Sequence, residues 1–251
     1  MTPKILLLDI ETFPNITFTW GFWQQNVIEV LEHWYILSYA WEWYGNGEGA
    51  QVRAIPDTKG KKDEILIWEL WRLLDEADYV IAHNGKAFDT AKINTRFFEY
   101  GMKPPSPYKV IDTLLVARGK LAFNSNKLND LCKDAGLGEK VKHVGFPLWL
   151  ACHLGVMTAW KRMKRYNLKD IVLLRRWFKK ALPWIEGMAV ATGPGQCPNC
   201  GSKRMLDAGT IRYKTTEYFQ YRCGKCGKYA RATTTLISKR DKPLIGIPVN
   251  S

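Results

Sequence analysis

Apolar and polar positions alternate between two periods along this chain, and the switches mark its elements. Lys4-Ile5-Leu6-Leu7-Leu8-Asp9-Ile10 is an apolar run that predicts a buried strand. The β-branched and aromatic stretches Ile16 to Phe22 and Trp34 to Trp43 predict two more. Gly45-Asn46-Gly47 makes a turn before a fourth strand at Gln51 to Ile55. Between Lys62 and Ala77, the residues Ile65, Leu66, Leu70, Leu73 and Leu74 fall at helical spacing. Tyr79-Val80-Ile81-Ala82 follows as a short strand, with another near Lys109 to Ile111. Helices are predicted over Asp89 to Tyr100, Lys127 to Ala135, Pro147 to Met163 and Tyr166 to Leu182. The result is a mixed α/β chain, β-rich at its start and helical towards its end.

The pattern changes after residue 186. Residues 187–196 are poor in large apolar side chains and rich in Gly, Ala and Pro, which predicts a linker. Beyond it lie two Cys-x-x-Cys pairs, Cys197/Cys200 and Cys223/Cys226, with 22 residues between them. Each pair suits a turn that aims both thiolates at one ion, and four thiolates close a tetrahedral zinc site. Disulfides are the other use of such pairs, but no secretory signal is recognisable at the N-terminus, and cytosolic thiols stay reduced. Ile211 to Lys214 and Tyr218 to Arg222 predict a hairpin, so residues 197–237 resemble a zinc ribbon with one structural Zn²⁺, followed by a basic tail over 238–251. Cys132 and Cys152 sit singly on predicted helix faces and suit ordinary packing.

Charge adds a partner class. The formal net charge is +13, yet residues 1–160 hold 17 Lys/Arg against 19 Asp/Glu. The excess lies in residues 161–180, with nine bases against Asp170, and in residues 197–251, with eleven against three acids. Such concentration points to a polyanion, nucleic acid before a membrane surface, because no apolar run of membrane length accompanies it. A solvated basic face is the plainer alternative. A cytoplasmic location is expected.

Three acidic segments carry the candidate chemistry. Asp9 and Glu11 share one side of a strand, where two carboxylates repel unless a cation separates them. Asp89 begins a helix just after the loop His83-Asn84-Gly85-Lys86-Ala87-Phe88. Tyr166 and Asp170 stand four apart on one helix face. Each has a structural reading of its own: a solvated strand end, a first-turn acid favoured by the helix dipole, an exposed polar pair.

In this order and spacing the three segments resemble the DEDD exonucleases of the DnaQ-like, ribonuclease H-like superfamily. Asp9-Ile10-Glu11-Thr12 matches the first motif, Asn84 with Phe88-Asp89 the second, and Tyr166 with Asp170 the third. Arg165 stands where the histidine variant would carry its histidine, so the match is to the tyrosine (DEDDy) branch. Pro104 to Tyr108, Ser125 to Leu128 and Lys142 to Phe146 look further like the stand-alone exonucleases of phages and prophages. The resemblance implies an exonuclease domain over residues 1–186, with a mixed central sheet flanked by helices. It implies two Mg²⁺ or Mn²⁺ held by Asp9, Glu11, Asp89 and Asp170, with Tyr166 orienting a water. The implied activity is 3′ to 5′ hydrolysis of single-stranded or frayed DNA; RNA as substrate and a non-catalytic binding module are the alternatives. Expected substrate contacts are Phe13, Asn84, Phe88, Arg165 and Lys169, with Arg212, Lys225, Lys228 and Arg231 on the ribbon, where a protein partner is the alternative.

Overall fold

The computed structural model of the chain describes residues 3–23, 26–58, 62–141, 145–191, 193–213 and 216–237. They fall into two compact units, one within residues 4–180 and a second made of residue 3 with the described residues of 181–237.

The larger unit is built on a five-stranded sheet. Strands β1 (Ile5–Phe13), β2 (Ile16–Phe18), β3 (Glu29–Glu32), β4 (Tyr35–Trp43) and β5 (Gln51–Ala54) come first. Helix α1 (Glu64–Glu76), β6 (Tyr79–Ala82), α2 (Asp89–Glu99), β7 (Lys109–Asp112), α3 (Thr113–Lys120), α4 (Leu128–Asp134), α5 (Phe146–His153) and α6 (Met157–Ala181) follow. The sheet order is β5-β4-β1-β6-β7, with β2 and β3 forming a separate hairpin. β1 runs antiparallel to β4 and parallel to β6, so the sheet is mixed and β1 is its centre.

The two faces of β1 have different coverings. Leu6, Leu8 and Ile10 join Leu66, Leu70 and Leu74 of α1 and Ile93 and Phe97 of α2 in one apolar cluster. Leu7, Asp9 and Glu11 take the other face by strand alternation, beside Glu42, Ala40 and Ser38 of β4. α6 meets this polar face: Arg175 pairs with Glu42 at 2.8 Å, and Ser38 Oγ donates to Asn167 Oδ1 at 3.0 Å. A bonded polar seam thus stands where a sheet face would otherwise be apolar.

Several elements differ from the sequence expectations. β1 continues to Phe13, so both of its acids lie within the strand. The extended stretch expected at Ile16 to Phe22 shortens to Ile16–Phe18 and pairs with β3, which the pattern missed because Glu29–Glu32 offers only a half-covered surface. α3 was also missed; it is amphipathic only weakly and is started by Asp112, whose side chain accepts from Leu114 N–H at 3.0 Å. The helix break expected after Met163 lies instead at Leu154-Gly155-Val156, where Gly155 takes a φ of +79°. A left-handed glycine ends α5, and no feature of Met163 to Tyr166 interrupts the 25 residues of α6.

The second unit carries a three-stranded sheet, β8 (Met205–Tyr213), β9 (Thr216–Cys223) and β10 (Tyr229–Arg231), in the order β10-β9-β8. Residues expected as a plain linker are tied to it: Val190 and Ala191 N–H both donate to the Pro198 carbonyl, at 2.6 and 3.1 Å. The expected basic tail, 238–251, lies outside the described residues. No helix among the described residues is long and apolar enough to cross a membrane.

Candidate active site

Asp9 and Glu11 of β1 and Asp170 of α6 each place a carboxylate oxygen within 4.8 Å of the others. Strand alternation puts the first two on one face, and the β1–β4 ladder shifts register beside them, between Glu11 and Thr12, before it continues to Phe13. Asp170 arrives from the buried face of α6, in line with Met163, Tyr166, Asn167, Leu174 and Phe178.

Asp89 joins the group electrostatically, while its Oδ1 accepts Ile10 N–H at 3.0 Å. β6 accompanies β1 only from Ile5 to Leu7, and beyond it the Asp89 carboxylate takes a backbone donor that the ladder leaves over. The structure therefore brings three of the four acids into ligand distance of one another and uses the fourth to hold β1.

Lys140, which sequence reasoning missed, reaches into the cluster. Its Nζ lies 2.6 Å from Asp170 Oδ2 and 3.4 Å from the Tyr166 hydroxyl. No local pattern signals a lysine in a loop as part of an acidic site. Trp149 of α5 was also missed; it hydrogen-bonds Glu11 and meets the Tyr166 ring edge-on at 5.9 Å. Asn167, next to Tyr166, donates from Nδ2 to Asp9 Oδ2 at 2.5 Å.

Burial and crowding oppose ionisation throughout. Burial, then the carboxylates of Asp170, Asp89 and Glu11, push Asp9 well above the usual carboxylate range. Burial and Asp170 push Glu11 up to about 8, against the pull of Lys140. Burial pushes Asp89 up to about 7, against the pull of Ile10 N–H. Tyr166 is held above its ordinary value by burial and by Asp170, so the phenol stays neutral. Burial works against the charge of Lys140, but the Asp170 carboxylate bonded to it outweighs burial and holds the ammonium above its ordinary value. Three converging carboxylates with one lysine among them form an all-oxygen donor set short of positive charge, which fits hard divalent cations such as Mg²⁺ or Mn²⁺.

The other expected contacts are distributed unevenly. Phe13 is 2% exposed, its ring stacked on His153 at 4.4 Å and beside Tyr35, so it packs in the core rather than standing free for a base. Phe88 packs against the α1 side of the sheet, with Lys92 Nζ 5.5 Å from its ring. Asn84 is exposed at φ +71°, in a loop held by Asp112, which accepts N–H from Asn84 and Lys86 at 3.0 and 3.2 Å. His83 is a loop hydrogen-bonder, its ring nitrogens 2.9 Å from Thr113 Oγ1 and from the Asn126 carbonyl. Arg165 is exposed and Lys169 half-buried, each next in sequence to a buried site position, Tyr166 and Asp170 respectively.

In the second unit, the four Sγ atoms of Cys197, Cys200, Cys223 and Cys226 lie within 4.8 Å of one another. Cys197 to Cys226 and Cys200 to Cys223 are both 3.7 Å, too long for the bond of about 2.05 Å in a disulfide and close to the edge of a tetrahedron with Zn–S of about 2.3 Å. Lys225 and Cys226 N–H point at Cys223 Sγ, at 3.4 and 3.5 Å, and favour a thiolate there. The set fits zinc. Lys225 is exposed and Arg212 pairs with Glu217, whereas Lys228 donates to the carbonyls of Pro183 and Ile185 at 2.9 and 3.0 Å, anchoring the ribbon rather than offering its charge to a phosphate.

A family model described as the RNase H superfamily matches residues 35–181, which include Asp89, Tyr166 and Asp170 and begin after the strand of Asp9 and Glu11. Among solved structures, the family B DNA polymerase from the hyperthermophilic archaeon Pyrobaculum calidifontis superposes with a TM-score of 0.54 at 13% identity, over 72% of this chain and 25% of that one. The likeness is one of fold, and the region shared is a quarter of the polymerase. No curated protein matches the chain.

Proposed function

The chain belongs to the RNase H superfamily, and on that premise we propose that it is a metal-dependent 3′ to 5′ exonuclease of the DEDDy type, acting on single-stranded or frayed DNA and releasing nucleoside 5′-monophosphates. The observation that carries the reading is the convergence of Asp9, Glu11 and Asp170 beside a neutral Tyr166. The fold likeness to a DNA polymerase supports a nucleic-acid substrate; the spread of the motifs with the segments Pro104 to Tyr108, Ser125 to Leu128 and Lys142 to Phe146 supports the phage or prophage type.

Asp9, Glu11 and Asp170 would hold the divalent cations, with Asp89 bracing β1 behind them. When bound, such cations activate a water and neutralise charge on the scissile phosphate and the leaving 3′ oxygen. The remaining work falls to the chain. Tyr166, too weak an acid to serve as a base here, orients the attacking water through its hydroxyl. Lys140 supplies a cation between Tyr166 and Asp170, and Asn167 keeps Asp9 turned towards the cluster. Water adds to phosphorus as the bond to the 3′ oxygen breaks, and that oxygen takes up a proton.

The test is digestion of matched end-labelled DNA and RNA strands with Mg²⁺ or Mn²⁺, beside Asp9→Ala and Asp170→Ala. Stepwise shortening from the 3′ end, lost in both variants, is expected. Activity without divalent metal, or surviving both substitutions, refutes the reading. Faster digestion of RNA would make the protein an exoribonuclease, and binding without cleavage a non-catalytic module.

A further inference from the structure

The two faces of the ribbon sheet carry different chemistry. The pairs Arg222 with Tyr229, Gln220 with Arg231 and Ile211 with Tyr218 fix which side chains share a side. By alternation, Tyr213, Tyr218, Gln220, Arg222, Tyr229 and Arg231 lie on one face. The other takes Asp207, Glu217 and Arg212, the last two paired at 3.4 Å. Among the described strand residues, both carboxylates are on the second face, and the first carries Arg222 and Arg231, whose Nη1 also donates to the Ala232 carbonyl at 3.2 Å.

On that first face the cations and rings are already layered. The Arg231 guanidinium lies 4.0 Å from the Tyr218 ring centre and 5.6 Å from that of Tyr213, and Arg222 lies 5.7 Å from the Tyr229 ring. Tyr213 and Tyr229 remain 49% and 52% exposed, so large planar surface stays open to solvent beside the two charges. An aromatic ring held against a guanidinium has lost much of its rotamer freedom before any ligand arrives, which lowers the cost of binding.

We propose that this Tyr/Arg face of the ribbon is a binding platform for single-stranded nucleic acid, bases stacking on Tyr213, Tyr218 and Tyr229 and phosphates meeting Arg222 and Arg231. Charge complementarity selects the occupant: planar rings interleaved with cations, with no carboxylate among them, match a strand that alternates bases with phosphates. The platform contains only Arg231 of the four ribbon bases marked by sequence, since Arg212 belongs to the opposite face and Lys228 is spent on backbone carbonyls. The proposal stands independently of the hydrolytic reading of Asp9, Glu11 and Asp170.

The experiment titrates full-length protein against labelled single-stranded DNA and RNA oligonucleotides by fluorescence anisotropy, at several salt concentrations and without added Mg²⁺ or Mn²⁺. Tyr218→Leu and Tyr229→Leu are expected to weaken binding about five- to a hundredfold each, with the salt slope unchanged. Arg222→Gln and Arg231→Gln should each reduce the slope of log affinity against log salt by about 0.7. Arg212→Gln should change neither quantity, and Tyr229→Phe should retain affinity. Zinc content measured on each variant reports an intact ribbon; should a tyrosine variant lose zinc, the arginine slopes decide. Unchanged affinity and slope in the zinc-loaded tyrosine and arginine variants, or no binding by the intact protein, overturns the platform and leaves the face to a protein partner. Platform-dependent binding without metal-dependent cleavage would instead sink the nuclease reading alone.

Discussion

Asn167 holds Asp9. Its Nδ2 donates to Asp9 Oδ2 at 2.5 Å and to the Asp9 carbonyl at 3.3 Å, while Ser38 Oγ donates to its Oδ1 at 3.0 Å. Asn167 and Ser38 are fully buried, so the amide has one orientation that satisfies both ends; the flipped one would set a carbonyl against a carboxylate.

Asn167→Ala should therefore free Asp9 to rotate and lower Mn²⁺ affinity about 10- to 100-fold, the usual effect of removing a residue that orients a metal ligand. Ser38→Ala should act in the same direction but less. A calorimetric Mn²⁺ titration checks both, and an unchanged affinity in Asn167→Ala would remove the positioning role.

Tyr166→Phe deletes one oxygen from a ring that is otherwise packed against Trp149. Turnover should fall about a hundredfold with KM nearly constant, because the hydroxyl is assigned to water rather than to substrate. Steady-state kinetics on a labelled oligonucleotide separates the two constants; a raised KM at constant turnover would place the hydroxyl on the substrate.

The raised acids make the metal-free protein sensitive to pH. Glu11 rises from 4.5 to about 8 and Asp89 from 3.8 to about 7. Between these limits the folded state binds more protons than the unfolded chain, so stability falls as pH rises from about 4 to about 8. Bound divalent cation offsets that repulsion, so Mg²⁺ or Mn²⁺ should raise Tm more at pH 8 than at pH 5. Thermal melts with and without metal at both pH values test this, and an equal shift at both would contradict it.

Removing residues 197–251 should weaken nucleic-acid binding and flatten its salt dependence while sparing cleavage of short oligonucleotides. In the full chain, Cys223→Ser should lower the zinc content from one ion per chain, as measured by elemental analysis, with the same loss of binding. Unchanged salt dependence in the shortened chain would deny the ribbon a role in binding.

Much of this was legible along the chain. The apolar run before Asp9, the i,i+4 pair of Tyr166 and Asp170 and the cysteine spacings are local regularities, and each element or cluster they imply is present. Glu29–Glu32 and Gly155 were missed because a half-covered hairpin strand and a left-handed C-terminal glycine leave little trace in periodicity.

The sequence by itself determined which residues alternate to the same side of β1 and which line one face of α6, because periods of 2 and 3.6 are set by backbone geometry within a few residues, and it paired the thiols within each Cys-x-x-Cys turn. Tertiary structure alone decided that Asn167 would meet Asp9 across 158 residues of chain, that Lys140 would sit among the acids, and that Phe13 would be packed away. Those choices follow from which face of β1 α6 covers and where the loop before α5 passes, and no local period encodes either.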